Sequence, residues 1–152
     1  MAIAWTSDLN TGIDVIDNQH KEIVNFINQL EDAIAKSDPT AVGNVLAELV
    51  NYTLSHFAFE ESMQEEAGYK FSKPHKAIHD VFVKRVAQYQ EKHALGEDVT
   101  EGLHSMLCTW LVHHIKRDDM AYVNDVKKLV ADKSQNEEQK GWLTRSIGKF
   151  FK

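Results

Sequence analysis

Apolar residues recur at three- and four-residue intervals along most of this chain, the spacing that lays one face of an α-helix against a core. Ile23, Phe26, Ile27, Leu30 and Ile34 form the first stripe, with Asp17 placed as its N-cap and Ser37 near its end. Asp38-Pro39 reads as a cap followed by proline in the first helical position. It opens a long second stripe through Val42, Leu46, Leu49, Val50, Leu54 and Phe57 that closes around Gly68. Ser72 can cap a third helix with Pro74 in its first turn, and Ile78, Phe82, Val86 and Tyr89 carry the apolar face as far as Gly96. A fourth helix runs from about Asp98 through Leu103, Met106, Leu107, Trp110, Leu111 and Ile115. The polar stretch Arg117-Asp118-Asp119 reads as an interruption before a short fifth segment to about Val130. Short connections imply antiparallel neighbours, so the predicted fold is all-α: an antiparallel up-down-up-down four-helix bundle behind an N-terminal arm.

The C-terminal stretch differs in kind. Residues 131–140 read as a polar linker, and from Gly141 onward the chain writes a second, smaller pattern. At about 100° per residue, Trp142, Leu143, Ile147, Phe150 and Phe151 share one side while Arg145, Lys149 and Lys152 gather opposite, a short basic amphipathic helix. The predicted organisation is therefore a bundle over residues 1–130 and a linker with an amphipathic tail over 131–152. Three fates fit such a tail: packing back on the bundle, docking to a partner protein, or weak and reversible membrane contact through residues 141–152.

Composition narrows the picture. A chain of 152 residues with 43% hydrophobic content suits one core, and seven Gly with two Pro suit helices better than a turn-rich sheet. A formal net charge of −6, with no Lys/Arg stripe on the main body, argues against nucleic acid. The single cysteine, Cys108, excludes an internal disulfide, and Met1 to Asn10 lacks both a basic leader and an apolar signal segment. The longest apolar run near a helix core, Met106 to Val112, is far shorter than the roughly 20 residues of a spanning helix. A cytoplasmic protein without a transmembrane segment is the expectation.

Histidine placement then points to chemistry. His56 and Glu60 are four apart on the second helix, as are His75 and His79 on the third, so each pair shares a face about 6 Å apart along the axis. His20 falls near the start of helix 1 and His114 near the end of helix 4. In an antiparallel bundle all these positions lie at one end. Asp119 stands five residues after His114, a step that keeps one face only if the backbone departs from regular helix near Arg117. Seven donors are too many for one ion. Five imidazoles, two carboxylates each reaching two ions and one bridging oxide or hydroxide leave a single vacancy in two octahedra, a place for a small exogenous ligand. Imidazoles suit iron, copper, zinc or nickel; bridging carboxylates and six-coordination favour iron over tetrahedral zinc.

The residues Asp17-Asn18-Gln19-His20-Lys21, His56-Phe57-Ala58-Phe59-Glu60, His75-Lys76-Ala77-Ile78-His79 and Trp110-Leu111-Val112-His113-His114-Ile115 through Asp119 together resemble the hemerythrin family, in its bacterial form. The resemblance spans roughly residues 1–130 and fills every ligand position. It implies two iron ions, cycling between Fe2+ and Fe3+ with a bridging oxide or hydroxide, and reversible binding of dioxygen. It further implies that His75, His79 and His114 hold one iron, that His20 and His56 hold the other, and that Glu60 and Asp119 bridge them. Dioxygen would bind at the iron with two histidines, in a dry pocket lined by Ile23, Phe57, Trp110, Leu111 and Ile115.

Other features weigh less. His93, His104 and His113 read as solvated or locally hydrogen-bonded, Glu101 and His104 as an isolated E-x-x-H, and Cys108 as a small core residue. Gln19, Asp14, Asp17 and Glu22 are candidate partners for the outer N–H groups of ligand histidines. The expectation is a non-enzymatic oxygen-binding protein for storage, delivery or sensing. One rival is a di-iron enzyme acting on peroxide or nitric oxide. Another is a signalling module in which oxygen or iron status changes how the tail engages a partner.

Overall fold

The computed structural model describes residues 3–135 and 141–151. Four long helices form the body: α1 (Asp14–Ala35), α2 (Pro39–Glu66), α3 (Ser72–Ala94) and α4 (Thr100–His113). A wide π-helical turn, His114–Asp119, and a 3-10 turn, Met120–Tyr122, carry α4 into α5 (Val123–Gln135), and α6 spans Trp142–Phe150. Among the described residues there is no strand. The α1–α2, α2–α3 and α1–α4 pairs pack together. Because residues near the start of α1, the end of α2, the start of α3 and the end of α4 meet at one level, successive helices alternate in direction.

Several local devices set the helix ends. Asp38 caps α2 by accepting from the Ala41 N–H at 3.1 Å, with Pro39 in the first helical position. The end of α2 is a Schellman turn: the Gly68 N–H bonds to the Glu65 carbonyl and the Tyr69 N–H to the Gln64 carbonyl, with Gly68 at φ +71°. The expected caps at Asp17 and Ser72 are corrected. Helix α1 begins three residues before Asp17, and Ser72 is the first residue of α3 with Phe71 in the cap position and no side-chain cap bond. Asp17 is instead buried and accepts from the Thr11 N–H at 2.8 Å, the Thr11 hydroxyl at 2.7 Å and the Gly12 N–H at 3.1 Å. Its carboxylate thus pins the N-terminal arm across the mouth of α1. Arg117-Asp118-Asp119 does not interrupt the helical path but widens it.

Two apolar layers result. The larger contains Ile27, Leu30, Leu46, Leu49, Val86, Leu103 and Leu107; the smaller contains Ile13, Ile16, Phe59, Met63, Tyr122 and Val126. The tail completes the smaller layer. Trp142, Leu143, Ile147, Phe150 and Phe151 pack against it, with Phe59 6.3 Å from Phe150 and 6.0 Å from Phe151 between ring centroids, while Arg145 and Lys149 stay exposed. The expected linker is corrected in part, since α5 continues to Gln135; residues 136–140 and Lys152 lie outside the described residues.

Candidate metal centre

Between the two layers lies a cluster of seven polar side chains, none more than 3% exposed: His20, His56, Glu60, His75, His79, His114 and Asp119. The i,i+4 pairs on α2 and α3 aim both members inward. Asp119 joins them because a π turn closes i→i+5 hydrogen bonds, so a five-residue step returns to one face. The result is a 3.1 Å approach of His114 Nε2 to Asp119 Oδ1.

The two carboxylates each face two ways. Glu60 Oε1 lies 2.8 Å from His75 Nε2 and 3.1 Å from His79 Nε2, while its Oε2 lies 3.3 Å from His56 Nε2. Asp119 Oδ1 lies 3.2 Å from His75 Nε2 and close to His114, while its Oδ2 lies 3.0 Å from His20 Nε2. Two donor sets follow, one of Glu60, His75, His79, His114 and Asp119, the other of His20, His56 and Glu60.

Three histidines are oriented from behind. His56 Nδ1–H donates to Gln19 Oε1 at 2.6 Å, His79 Nδ1–H to Glu61 Oε2 at 2.8 Å and His114 Nδ1–H to Asp118 Oδ2 at 2.9 Å. With Nδ1 protonated, each neutral ring turns an Nε2 lone pair inward. Of the sequence candidates for this role, Gln19 fills it; Asp17 serves the arm instead. Glu61 and Asp118 escaped sequence reasoning, although each neighbours a ligand candidate on the same helix. Tyr122, fully buried, donates its hydroxyl to Glu60 Oε2 at 2.9 Å, a partner 62 residues away that no local pattern announces.

This arrangement fits cations better than an internal network. His79 Nε2 and His114 Nε2 stand 3.0 Å apart, with their protons committed to Glu61 and Asp118 on the other side of each ring. Two neutral rings so placed would face lone pair to lone pair, so without metal an added proton must lie between them, whereas adjacent donors about 2.1 Å from a six-coordinate ion stand about 3.0 Å apart. Both ring nitrogens of His20 and both oxygens of Asp119 are buried without a hydrogen bond, because the 3.0 Å approach of His20 to Asp119 is misaligned for one.

Electrostatics of the metal-free site tell the same story. Burial alone would raise the Glu60 carboxyl, but His56, His75 and His79 outweigh it and hold the group well below the usual carboxylate range. Asp119 is lowered likewise: burial and the neighbouring Glu60 oppose ionisation, and His114 and His20 overcome them. Burial disfavours protonated His75, yet Asp119 and Glu60 prevail and push it up to about 10; His20 and His79 are raised in the same manner. His56 is lowered by burial, only partly countered by Glu60. Without metal, protons stand in for the missing positive charge.

An apolar cavity opens beside His20, His56 and His114. Ile23, Phe57, Trp110 and Leu111 line it, together with Ile27, Leu49, Thr53, Phe82 and Leu107. Ile115 is fully buried in the larger layer but does not line this cavity. The room left for the centre of a water-sized molecule is about 10 Å³, the threshold for a single small guest. Aromatic rings fix the walls: Phe57 stacks on His79 at 3.8 Å and Trp110 on His114 at 4.3 Å between centroids.

Fold and site together define a helical bundle protein with a histidine-rich, dicarboxylate centre for two metal ions. The pattern of the hemerythrin HHE cation binding domain matches residues 11–126. A bacteriohemerythrin of Pseudomonas aeruginosa is 48% identical over 149 residues, covering 98% of this chain and 97% of that protein. One from Stenotrophomonas maltophilia is 46% identical over the same span. The crystal structure of a wild-type hemerythrin superposes with a TM-score of 0.79 at 31% identity, covering 83% of this chain and 98% of that one. The chain belongs to the hemerythrin family, whose members bind oxygen at a di-iron centre. The match to the Pseudomonas protein takes in the C-terminal tail, which the sequence pattern of residues 1–130 alone had left outside the resemblance.

Proposed function

We propose that this protein binds dioxygen reversibly, without catalysing its onward reaction, at two iron ions held by the seven buried side chains. His75, His79 and His114 would hold one iron and His20 and His56 the other, with Glu60 and Asp119 spanning both. The observation that carries this reading is the two-sided placement of each carboxylate, one oxygen toward the three-histidine set and the other toward the two-histidine set. Two irons so held supply the electrons that dioxygen takes up on binding and returns on release. The chain's part is to hold and to exclude. Gln19, Glu61 and Asp118 fix three rings in the tautomer that ligates, and Tyr122 donates its hydroxyl proton in a hydrogen bond to the ionised Glu60 Oε2. Ile23, Phe57, Trp110 and Leu111 keep bulk water from the side where the small guest sits. Five neutral imidazoles with two carboxylates form a less anionic set than carboxylate-rich oxygen-activating sites, which supports binding over catalysis.

We place the protein in the cytoplasm, where a reducing environment keeps a free thiol such as Cys108 reduced; among the described residues no helix is long and apolar enough to cross a membrane. The test is the visible spectrum of iron-loaded protein, reduced without air, exposed to oxygen and flushed with inert gas. A charge-transfer band that appears and vanishes over repeated cycles is expected. Irreversible conversion on first exposure would overturn the reading, as would full iron loading and oxygen binding in His56→Ala or Glu60→Ala.

A further inference from the structure

The side chains behind the ligand rings are not shared evenly between the two donor sets. His79 and His114 each give their outer N–H to a carboxylate, Glu61 at 2.8 Å and Asp118 at 2.9 Å. His56 gives its own to the neutral amide of Gln19 at 2.6 Å. Among the described residues the buried His20 Nδ1 has no hydrogen-bond partner. Resting on the ligand sets given above, we propose that the two metal positions fill in order: the three-histidine set takes the first iron, and the chain passes through a stable one-iron form before the His20 and His56 set is occupied.

Donor number and charge point the same way. Glu60, His75, His79, His114 and Asp119 offer five buried ligand atoms within 4.8 Å of one another, whereas His20, His56 and Glu60 offer three. An imidazole whose outer N–H is held by a carboxylate is a stronger base toward a metal than one held by an amide, because the anion stabilises the positive charge that ligation draws onto the ring. Asp118 is 15% exposed and Glu61 20%, so water screens neither charge fully. Arg117, 3.6 Å from Asp118 Oδ1, lies out in solvent and leaves Oδ2 to His114. On the other side, Asp17 acts on His20 through space, its oxygens being held by Thr11 and Gly12. His20 can turn Nε2 to a metal only with Nδ1–H left unsatisfied in the interior, a cost that His56, His79 and His114 escape.

The partner behind a ligating histidine changes metal affinity by about 10–100-fold. Two carboxylates against one amide therefore separate the first and second binding constants by about 100-fold or more. The shared carboxylates widen the gap, since Glu60 and Asp119 meet the second ion with part of their charge already neutralised. At a 100-fold separation about five-sixths of the chains hold a single iron when one equivalent is present, against about one half for two equal and independent positions. Oxygen binding needs both irons. Under scarce iron the chain is thus metal-bound but unable to take up oxygen, and oxygen binding switches on only as iron exceeds one per chain.

The test is an anaerobic titration of iron-free full-length protein with Fe2+, in which native mass spectrometry counts the ions per chain and a competing ferrous chelator gives the two constants. The one-iron form should dominate at one equivalent, and the oxygen-dependent visible band should there reach only about one-tenth of its final height. Glu61→Gln and Asp118→Asn should each weaken the first step by about tenfold or more. Gln19→Glu, which puts a carboxylate behind His56, should instead tighten the second step by about tenfold or more and leave the first unchanged, a gain that a merely structural role would not produce. His20→Ala should keep the first step and lose the second. A compact charge-state distribution shows that each variant folds. Two irons entering in a single step overturn the order and leave the two-iron reading standing, as does a Gln19→Glu variant whose second step is unmoved or a His20→Ala variant that loses the first. A wild-type chain that never takes up a second iron overturns both.

Discussion

Replacing Tyr122 by Phe removes one oxygen atom from a fully buried place and tests how the centre is held. The Tyr122 hydroxyl donates to Glu60 Oε2 at 2.9 Å, and neither residue is exposed. Burial and the nearby Glu60 and Asp119 charges raise the phenol well above its ordinary value, so it remains a donor throughout the working pH range. A hydrogen bond to a charged group contributes about 1.5–3 kcal/mol. In iron-free protein Glu60 keeps His75 at 2.8 Å and His79 at 3.1 Å, which places the loss at the lower end, about 1.5 kcal/mol. For a chain of this size about 1 kcal/mol moves Tm by roughly 2–4 °C, so calorimetry should show a fall of about 3–6 °C. Iron retention against a chelator should weaken by about tenfold or more, because the carboxylate loses the partner that fixes its orientation. A variant with unchanged Tm and unchanged iron retention would refute the reasoning, since an isosteric ring leaves no cavity to confuse the result.

Other perturbations test neighbouring steps. Asp118→Ala and Gln19→Ala each free the outer nitrogen of one histidine, and competition with a chelator should show iron affinity about 10–100-fold lower, while exposed His113→Ala changes nothing. In iron-free protein His75 is raised from 6.5 to about 10, and His20 and His79 move in the same direction. The stability these protons confer is complete below pH 6.5 and is lost as pH climbs toward 10. Tm measured across that range should therefore fall for iron-free protein and hold level for iron-loaded protein, in which metal replaces the protons; parallel profiles would contradict this. A second apolar cavity shares Leu49, Thr53, Phe82 and Leu107 with the first and reaches Val50 and the half-exposed Leu54. Val50→Trp, which narrows this path, should slow oxygen association several-fold in stopped flow without changing equilibrium saturation; an unchanged rate would place the path elsewhere.

How much of this was legible beforehand depends on the range over which the physics acts. Periodicity located every helix of the bundle, because burial of one face is a local constraint written at i, i+3 and i+4. Six of the seven donors were legible for a related reason: two i,i+4 pairs, His56/Glu60 and His75/His79, and two residues at helix ends, His20 and His114, converge once the helices alternate in direction. Cap positions failed where a tertiary contact outranked local preference, as when Asp17 turned to the arm through Thr11 and Gly12 instead of capping α1. Tyr122 was invisible because its hydrogen bond to Glu60 joins elements whose register no single stripe reveals.

The step from His114 to Asp119 shows where the boundary lies. Five residues on a regular helix amount to about 500°, which leaves Asp119 well off the face of His114. A shared site therefore required a wider turn, and the chemistry of the donor set demanded a fault in the helix that no propensity scale would place there. The structure supplies it as a π turn over His114–Asp119. A π turn has weaker hydrogen-bond geometry than the α-helix, and it survives here because the carboxylate it delivers meets three histidines and because buried Tyr122 and Val126 anchor the chain beyond it. The fold thus gives up local regularity where the site needs a ligand, and the packing of α5 against the smaller apolar layer holds that concession in place.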